Sequence, residues 1–219
     1  PDSAILDPAL PEALPARITA NTGMDVLAHA TEAVASTAAN SFTDPYAIEA
    51  ISLVLANLET AYREPHNTVA RMNMHNASAL AGMAFTNASL GLVHSLAHKI
   101  GGEFGVTHGL ANAILMPYII RFNRQFTDKY AKVEKLLGIA DLPTAVEALN
   151  KQLGIPCCFQ QCDEVPFDES HFRDVLGRMS QNAHADPCTW TNPGKPTVED
   201  VRALYEAAFY GHPCTATKA

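Results

Sequence analysis

Asp25 and His29 bracket the apolar triplet Val-Leu-Ala, and His94 and His98 bracket Ser-Leu-Ala. Both pairs are spaced i,i+4. On a helix such pairs sit on adjacent turns, about 5–6 Å apart at Cβ, close enough to share one cation. Their neighbours are Val26, Leu27, Ala28, Leu92, Val93, Leu96 and Ala97. An aspartate in that company needs a partner, which a metal or a histidine supplies. His108 follows beyond the glycine pair Gly101-Gly102. One aspartate with histidines makes a mixed oxygen and nitrogen set for a divalent first-row metal: imidazole suits iron, zinc, copper and nickel, and carboxylate shifts the preference towards harder ions. With room left for a substrate oxygen, such a metal serves as a Lewis acid. Spacing alone leaves open whether these residues are ligands or hydrogen-bonded core histidines, and which of the histidines would ligate.

The elements that must position them read as helices. Residues 1–20 are proline-rich, so no regular element longer than a few residues is expected there, save one possible short strand in "SAILD". Beyond them Ala, Leu, Met and Glu dominate, and apolar residues recur at three- and four-residue steps. A first helix is expected from about residue 23 to 37. A second follows Thr43 or Asp44 as N-cap, with Pro45 near its start and Pro65 as its stop. "HNTVARMNMHNASALAGMAFTNA" is a third. "SLGLVHSLAHKI" continues as a fourth, ended by Gly101-Gly102, so that the loop "EFGVT" brings His108 back at the start of the next. The fifth, "HGLANAILMPYIIRFNRQF", is expected to kink or break at Pro117. "TDKYAKVEKLLGI", "LPTAVEALNKQLGI", "DESHFRDVLGRMSQN" and "TVEDVRALYEAAFYG" add four more, the last opened by a near capping box, and "PCCFQQCDEVPF" reads as loop. The expected fold is all-α, one domain of about nine helices.

Composition excludes several classes of function. The net charge is -8 and 17% of residues are charged, with no Lys/Arg cluster, so neither nucleic acid nor an anionic membrane is an expected partner. Apolar runs are short and interrupted, against a transmembrane helix. Five cysteines, Cys157, Cys158, Cys162, Cys188 and Cys214, form no CxxC pair. A disulfide framework is therefore not expected, and a reducing cytoplasm is the default location. The chain opens without Met or a signal peptide, as expected of the interior of a longer protein. HExxH, GxSxG, GxGxxG and P-loop motifs are absent, which speaks against zincins, α/β-hydrolases and an internal dinucleotide fold.

"TANTGMDVLAHATEA", "AGMAFTNASLGLVHSLAHKIGGEFGVTHGLANAILMP" and "DPCTWTNPGKP" closely resemble the iron-containing (group III) alcohol dehydrogenases, and the likeness runs from "DPAL" to "YEAAFYG". It is to the C-terminal half of that family. The resemblance implies the helical, dehydroquinate synthase-like metal domain over residues 21–219, with residues 1–20 as an interdomain segment. The family's NAD(P)-binding α/β domain is not in this sequence. The resemblance further implies metal ligation by Asp25, His29, His94 and His108, by iron(II) as the family's usual metal, with zinc also found. His98 would then lie near nicotinamide and substrate, and Phe85 and Cys188 would line the substrate pocket. Glu32, one turn beyond His29, would orient it. Where the family often has Asn-Pro-Arg, this chain has Asn192-Pro193-Gly194.

The implied reaction interconverts a primary alcohol and an aldehyde by hydride transfer to or from NAD or NADP, with the alkoxide stabilised by the metal and His98 relaying the proton as general base. The expected whole protein is a cytoplasmic homo-oligomer, a dimer, and this chain alone is expected to be inactive. The alternatives are a metal-dependent lyase or cyclase related to dehydroquinate synthase, and a non-catalytic helical module.

Overall fold

The computed structural model describes residues 3–212, and every element within them is helical. The α-helices are α1 Ala16–Ala35, α2 Asp44–Arg63, α3 Thr68–Ala88, α4 Leu92–Phe104, α5 His108–Asn123, α6 Lys129–Leu137, α7 Leu142–Gln152, α8 Glu169–His184 and α9 Val198–Tyr210. Two short 3-10 turns, Phe159–Gln161 and Pro187–Thr191, interrupt the longer connections. Among the described residues there is no strand, so the short strand considered for "SAILD" is not formed. No described helix is long and apolar enough to cross a membrane. Cys214 lies outside the described residues.

Local chemistry explains most starts. Asn67, Asp141 and Asp168 each accept a backbone N–H from the first turn of α3, α7 and α8. Thr197 and Asp200 exchange both bonds of a capping box at α9, so Asp serves where Glu is usual. Three boundaries differ from the sequence expectation. α1 begins at Ala16, directly after Pro15, because a proline before the first turn leaves no N–H wanting a partner. A break at Ser89–Gly91 separates α3 from α4, with Ser89 at φ 62°. α4 then runs through Gly101 and Gly102 to Phe104, and the left-handed Gly105 closes it, leaving a three-residue connection, 105–107, to α5.

α5 runs through Pro117 rather than breaking. Pro117 cannot donate to the Ala113 carbonyl one turn back. The Asn150 side chain of α7 donates to that carbonyl instead, at 2.8 Å, from a buried position. α5 is buried along almost its whole length and forms the centre of the core. α1 packs on α2, α3 and α5, α4 on α5 and α8, and α5 on α7. The residues singled out for chemistry therefore sit where α1, α4 and α5 meet.

Candidate metal centre

α1 carries Asp25 and His29, α4 carries His94, and α5 begins with His108. Ligand atoms of Asp25, His29 and His94 all lie within 4.8 Å of one another. Asp25 Oδ1 is 3.5 Å from His94 Nε2 and 3.3 Å from His108 Nε2, and Asp25 Oδ2 is 3.8 Å from His29 Nδ1. The short connection after Gly105 lets a helix end and a helix start deliver His94 and His108 to one carboxylate. His94 is buried, Asp25 and His29 are partly so, and the His108 side chain is 43% exposed, which leaves the cluster open on one side.

Glu32 works across helices rather than along its own. It was expected to orient His29; instead its Oε2 lies 2.6 Å from His94 Nδ1, while Oε1 accepts the Val93 N–H at 2.5 Å. The contact is possible because Gly91 precedes α4, where a Cβ would come within 2.9 Å of Glu32 Oε1 and 2.8 Å of Asn192 Oδ1. Asn192 Oδ1 accepts the neighbouring Leu92 N–H. A carboxylate and an amide thus satisfy free N–H groups at the positive end of α4. Donation from His94 Nδ1 to Glu32 turns Nε2 towards the cluster, the arrangement a metal-bound histidine needs once Nε2 gives up its proton to a cation.

Protonation states follow from burial and neighbours. Burial penalises charge on Asp25, yet bonds to His108 and His94 and the nearby His29 and His94 rings hold its carboxyl far below the usual range. Burial lowers His29 to about 4, with Asp25 only partly offsetting it, so His29 is neutral near pH 7. Burial opposes charge on His94 too, but its bonds to Asp25 and Glu32 carry it up to about 9. Two imidazole nitrogens and a carboxylate within reach of one another, a third imidazole beside that carboxylate and a braced outer nitrogen fit a divalent first-row metal by donor type.

The other predicted residues line the rim. Phe85 stacks on His29 at 4.5 Å between ring centroids. His98, one turn beyond His94, stacks over His108 at 5.6 Å and points Nδ1 at Asp186 Oδ2, 3.1 Å away. Lys99 Nζ reaches the same oxygen at 2.7 Å. Cys188 donates its backbone N–H to Asp186 Oδ1. Burial first, then the Asp186 charge, push its thiol up to about 12. His98, Asp186 and Cys188 could group round a cation, but the Lys99 ammonium already neutralises Asp186 and disfavours a second one. Gly194 is at φ 75°, and a Cβ there would lie 2.7 Å from the Phe126 ring, so this loop has no room for the arginine common in the family. Cys157, Cys158 and Cys162 lie elsewhere, around the turn that follows α7.

Two residues were missed by sequence reasoning. Asn112 is fully buried on α5, and its Nδ2 lies 2.7 Å from Asp25 Oδ1, 3.0 Å from His108 Nε2 and 3.4 Å from His94 Nε2. Its i,i+4 spacing from His108 repeats that of the two pairs first noticed and was the available signal. Asp186 opens "DPC", of which only the cysteine was taken; a buried aspartate ahead of a 3-10 turn holds both His98 and that turn. A cavity of about 300 Å³ opens beside Asp25 and His29, with Thr22, Arg71 and His75 on its walls. A larger one, about 510 Å³, lies by Arg17 and Glu164 and holds none of the clustered residues.

The chain matches the family model described as Fe-containing alcohol dehydrogenase family, C-terminal, over residues 19–209. It is 39% identical to the NADPH-dependent butanol dehydrogenase of Clostridium saccharobutylicum, over 96% of this chain and 56% of that protein. It is 43% identical to the 1-propanol dehydrogenase of Salmonella typhimurium, over 94% of this chain and 59% of that protein. The solved iron-containing alcohol dehydrogenase of Thermococcus thioreducens superposes with a TM-score of 0.89 at 36% identity, covering 97% of this chain and 56% of that one. The chain spans just over half the length of these relatives. With the domain matched almost end to end and the helical fold shared, the chain belongs to the iron-containing alcohol dehydrogenase family, as its C-terminal helical part.

Proposed function

We propose that this chain is the metal-binding half of a nicotinamide-dependent alcohol dehydrogenase that interconverts a primary alcohol and its aldehyde. The observation that carries the reading is that Asp25, His29 and His94 lie within reach of one cation, with His108 Nε2 3.3 Å from the same Asp25 carboxylate on the open side. The names of the relatives, butanol and 1-propanol dehydrogenases, support it over a lyase or cyclase.

In this reading those four residues hold iron(II), a donor set that also admits zinc. When bound, the metal supplies Lewis acidity, which favours negative charge on an alcohol oxygen and polarises an aldehyde carbonyl. The protein supplies the rest. Phe85, stacked on His29, and the Cys188 thiol, beside His98, flank the cluster and limit water. Asp186 fixes the His98 ring through Nδ1, so that Nε2 takes the alcohol proton. A nicotinamide bound beside this pocket would supply the hydride acceptor for the alcohol carbon, and in its reduced form the hydride donor for the aldehyde. NAD or NADP is held mainly by a separate α/β domain of the full protein, with the segment ahead of α1 as the link. The full protein is taken to be a cytoplasmic homo-oligomer, a dimer, acting on small alcohols.

The test is made on anaerobically prepared full-length protein. Chelation is expected to abolish alcohol-dependent NAD(P) reduction and iron(II) to restore it, while residues 1–219 alone show no turnover. Unchanged activity after removal of all metal would refute the reading.

A further inference from the structure

The metal reading above accounts for four side chains, but a fifth sits among them. We infer that Asn112 is a positioning residue of the metal centre: its side-chain amide fixes the Asp25 carboxylate in ligating register and ties α1 to the two histidines brought by α4 and α5. The inference rests on the metal reading.

Asn112 follows His108 by one turn of α5, so one helix delivers both the ring and the amide. From a fully buried position, Nδ2 reaches Asp25 Oδ1 on α1, His108 Nε2 on its own helix and His94 Nε2 on α4. It therefore touches three of the four proposed ligands, one from each helix that builds the cluster. Its orientation is fixed by chemistry. An ionised carboxylate only accepts, so the group 2.7 Å from Asp25 Oδ1 must be the amide NH2 and not its carbonyl. The Asn112 carbonyl oxygen is left buried with no hydrogen-bond partner. Asparagine is a poor helix former, and an orphaned carbonyl is unfavourable. Both costs fall on one residue whose NH2 faces the cluster, a pattern that packing alone does not call for.

The bond to Asp25 is the shortest of the three, and it alone leaves both imidazole lone pairs free for a cation. A carboxylate held by a donor on one oxygen loses its freedom to rotate away. Asn112 thus acts on Asp25 as Glu32 acts on His94, and outer groups of this kind typically govern 10–100-fold in metal affinity.

The experiment uses metal-free full-length protein, with cobalt(II) as the probe, and the variants Asn112→Leu, near in volume but without a donor, and Asn112→Ala. Three readouts are taken: the cobalt(II) dissociation constant, the visible absorption of bound cobalt(II), and the metal-free thermal midpoint. Folded variants are expected to bind cobalt(II) about 10–100-fold more weakly, with shifted bands. A folded variant with wild-type affinity and spectrum overturns the inference. So does loss of the metal-free fold in both variants, which would assign Asn112 to packing between α1 and α5. Failure of the wild-type protein to bind cobalt(II) overturns the metal reading itself, a result distinct from either.

Discussion

His94 and His98 lie one turn apart on α4, and each turns Nδ1 to a carboxylate from a distant segment. The two pairings differ in the burial of the ring, in distance and in competition for the accepting oxygen. Glu32 and His94 are both buried, 2.6 Å apart, and Glu32 spends its other oxygen on the N-terminus of α4. Asp186 is buried too, but His98 is 39% exposed, the distance is 3.1 Å, and Lys99 shares the same oxygen. One carboxylate serves the buried Nδ1 of a ring whose other nitrogen faces the cluster. The other is already neutralised by a lysine and holds its ring loosely at the mouth of the site. In the proposed function, the difference separates a brace for a fixed ligand from a tether for a ring that moves protons.

Removing Glu32 should break the comparison most severely. Glu32→Ala strips the partner from a buried imidazole and uncovers the start of α4, a loss of about 3–5 kcal/mol. Glu32→Gln keeps the shape but cannot accept from His94 Nδ1 and Val93 at once. It is expected to retain more stability than the alanine variant, while cobalt(II) affinity drops about 10–100-fold. Denaturant unfolding without metal, beside cobalt(II) titration, separates the two effects. An Ala variant as stable as wild type would show that the buried pair is not a brace.

Asp186→Asn should do less. Burial opposes ionisation of Asp186, but Lys99, the Cys188 N–H and His98 outweigh it and hold the carboxyl down at about 2, below its ordinary 3.8. A carboxyl depressed on folding stabilises the protein above its unfolded value and loses that contribution as pH falls through its folded value. The stability gap between wild type and Asp186→Asn is therefore expected to be on the order of 1–2 kcal/mol at pH 7, and to close between about pH 4 and pH 2. Lys99, His98 and the Cys188 thiol face Asp186, and the buried Tyr205 phenol lies near enough to feel its charge. In the full protein kcat should fall while metal content stays at the wild-type level. A variant that loses metal would merge the two carboxylates into one role.

The same contrast marks how far the sequence could be read. Helix periodicity carried the all-α fold, and caps such as Asn67 and the Thr197–Asp200 box lie where local chemistry puts them. Events set by distant partners were not legible. Gly101-Gly102 looked like a stop, yet α4 continues to Gly105. Pro117 looked like a break until Asn150, from another helix, took up the freed carbonyl. Within the site, i,i+4 spacing raised the metal question, and the family resemblance chose among the histidines. Glu32 was matched to His29 because they share a helix, whereas its side chain crosses to α4. Asn112 was hidden in a run of small and apolar residues. Spacing reports which side chains share one helix face; it says nothing of which face another helix presents to them.

The smallest expected effect tests the rim alone. Burial first, then the Asp186 charge, then that of Glu32 hold the Cys188 thiol up at about 12. At pH 7.5 almost none of it is thiolate, so iodoacetamide should alkylate Cys188 far more slowly than a free thiol such as N-acetylcysteine. Asp186→Asn removes the second cause and leaves the first, so the rate at Cys188 should rise by less than about 10-fold. Peptide mapping by mass spectrometry resolves Cys188 from the exposed Cys157. A much larger rise would mean that Asp186, and not burial, keeps the thiol neutral. The rim would then be set by one charge, as the Glu32 brace is, and the distinction between the two carboxylates would fail at the mouth of the site.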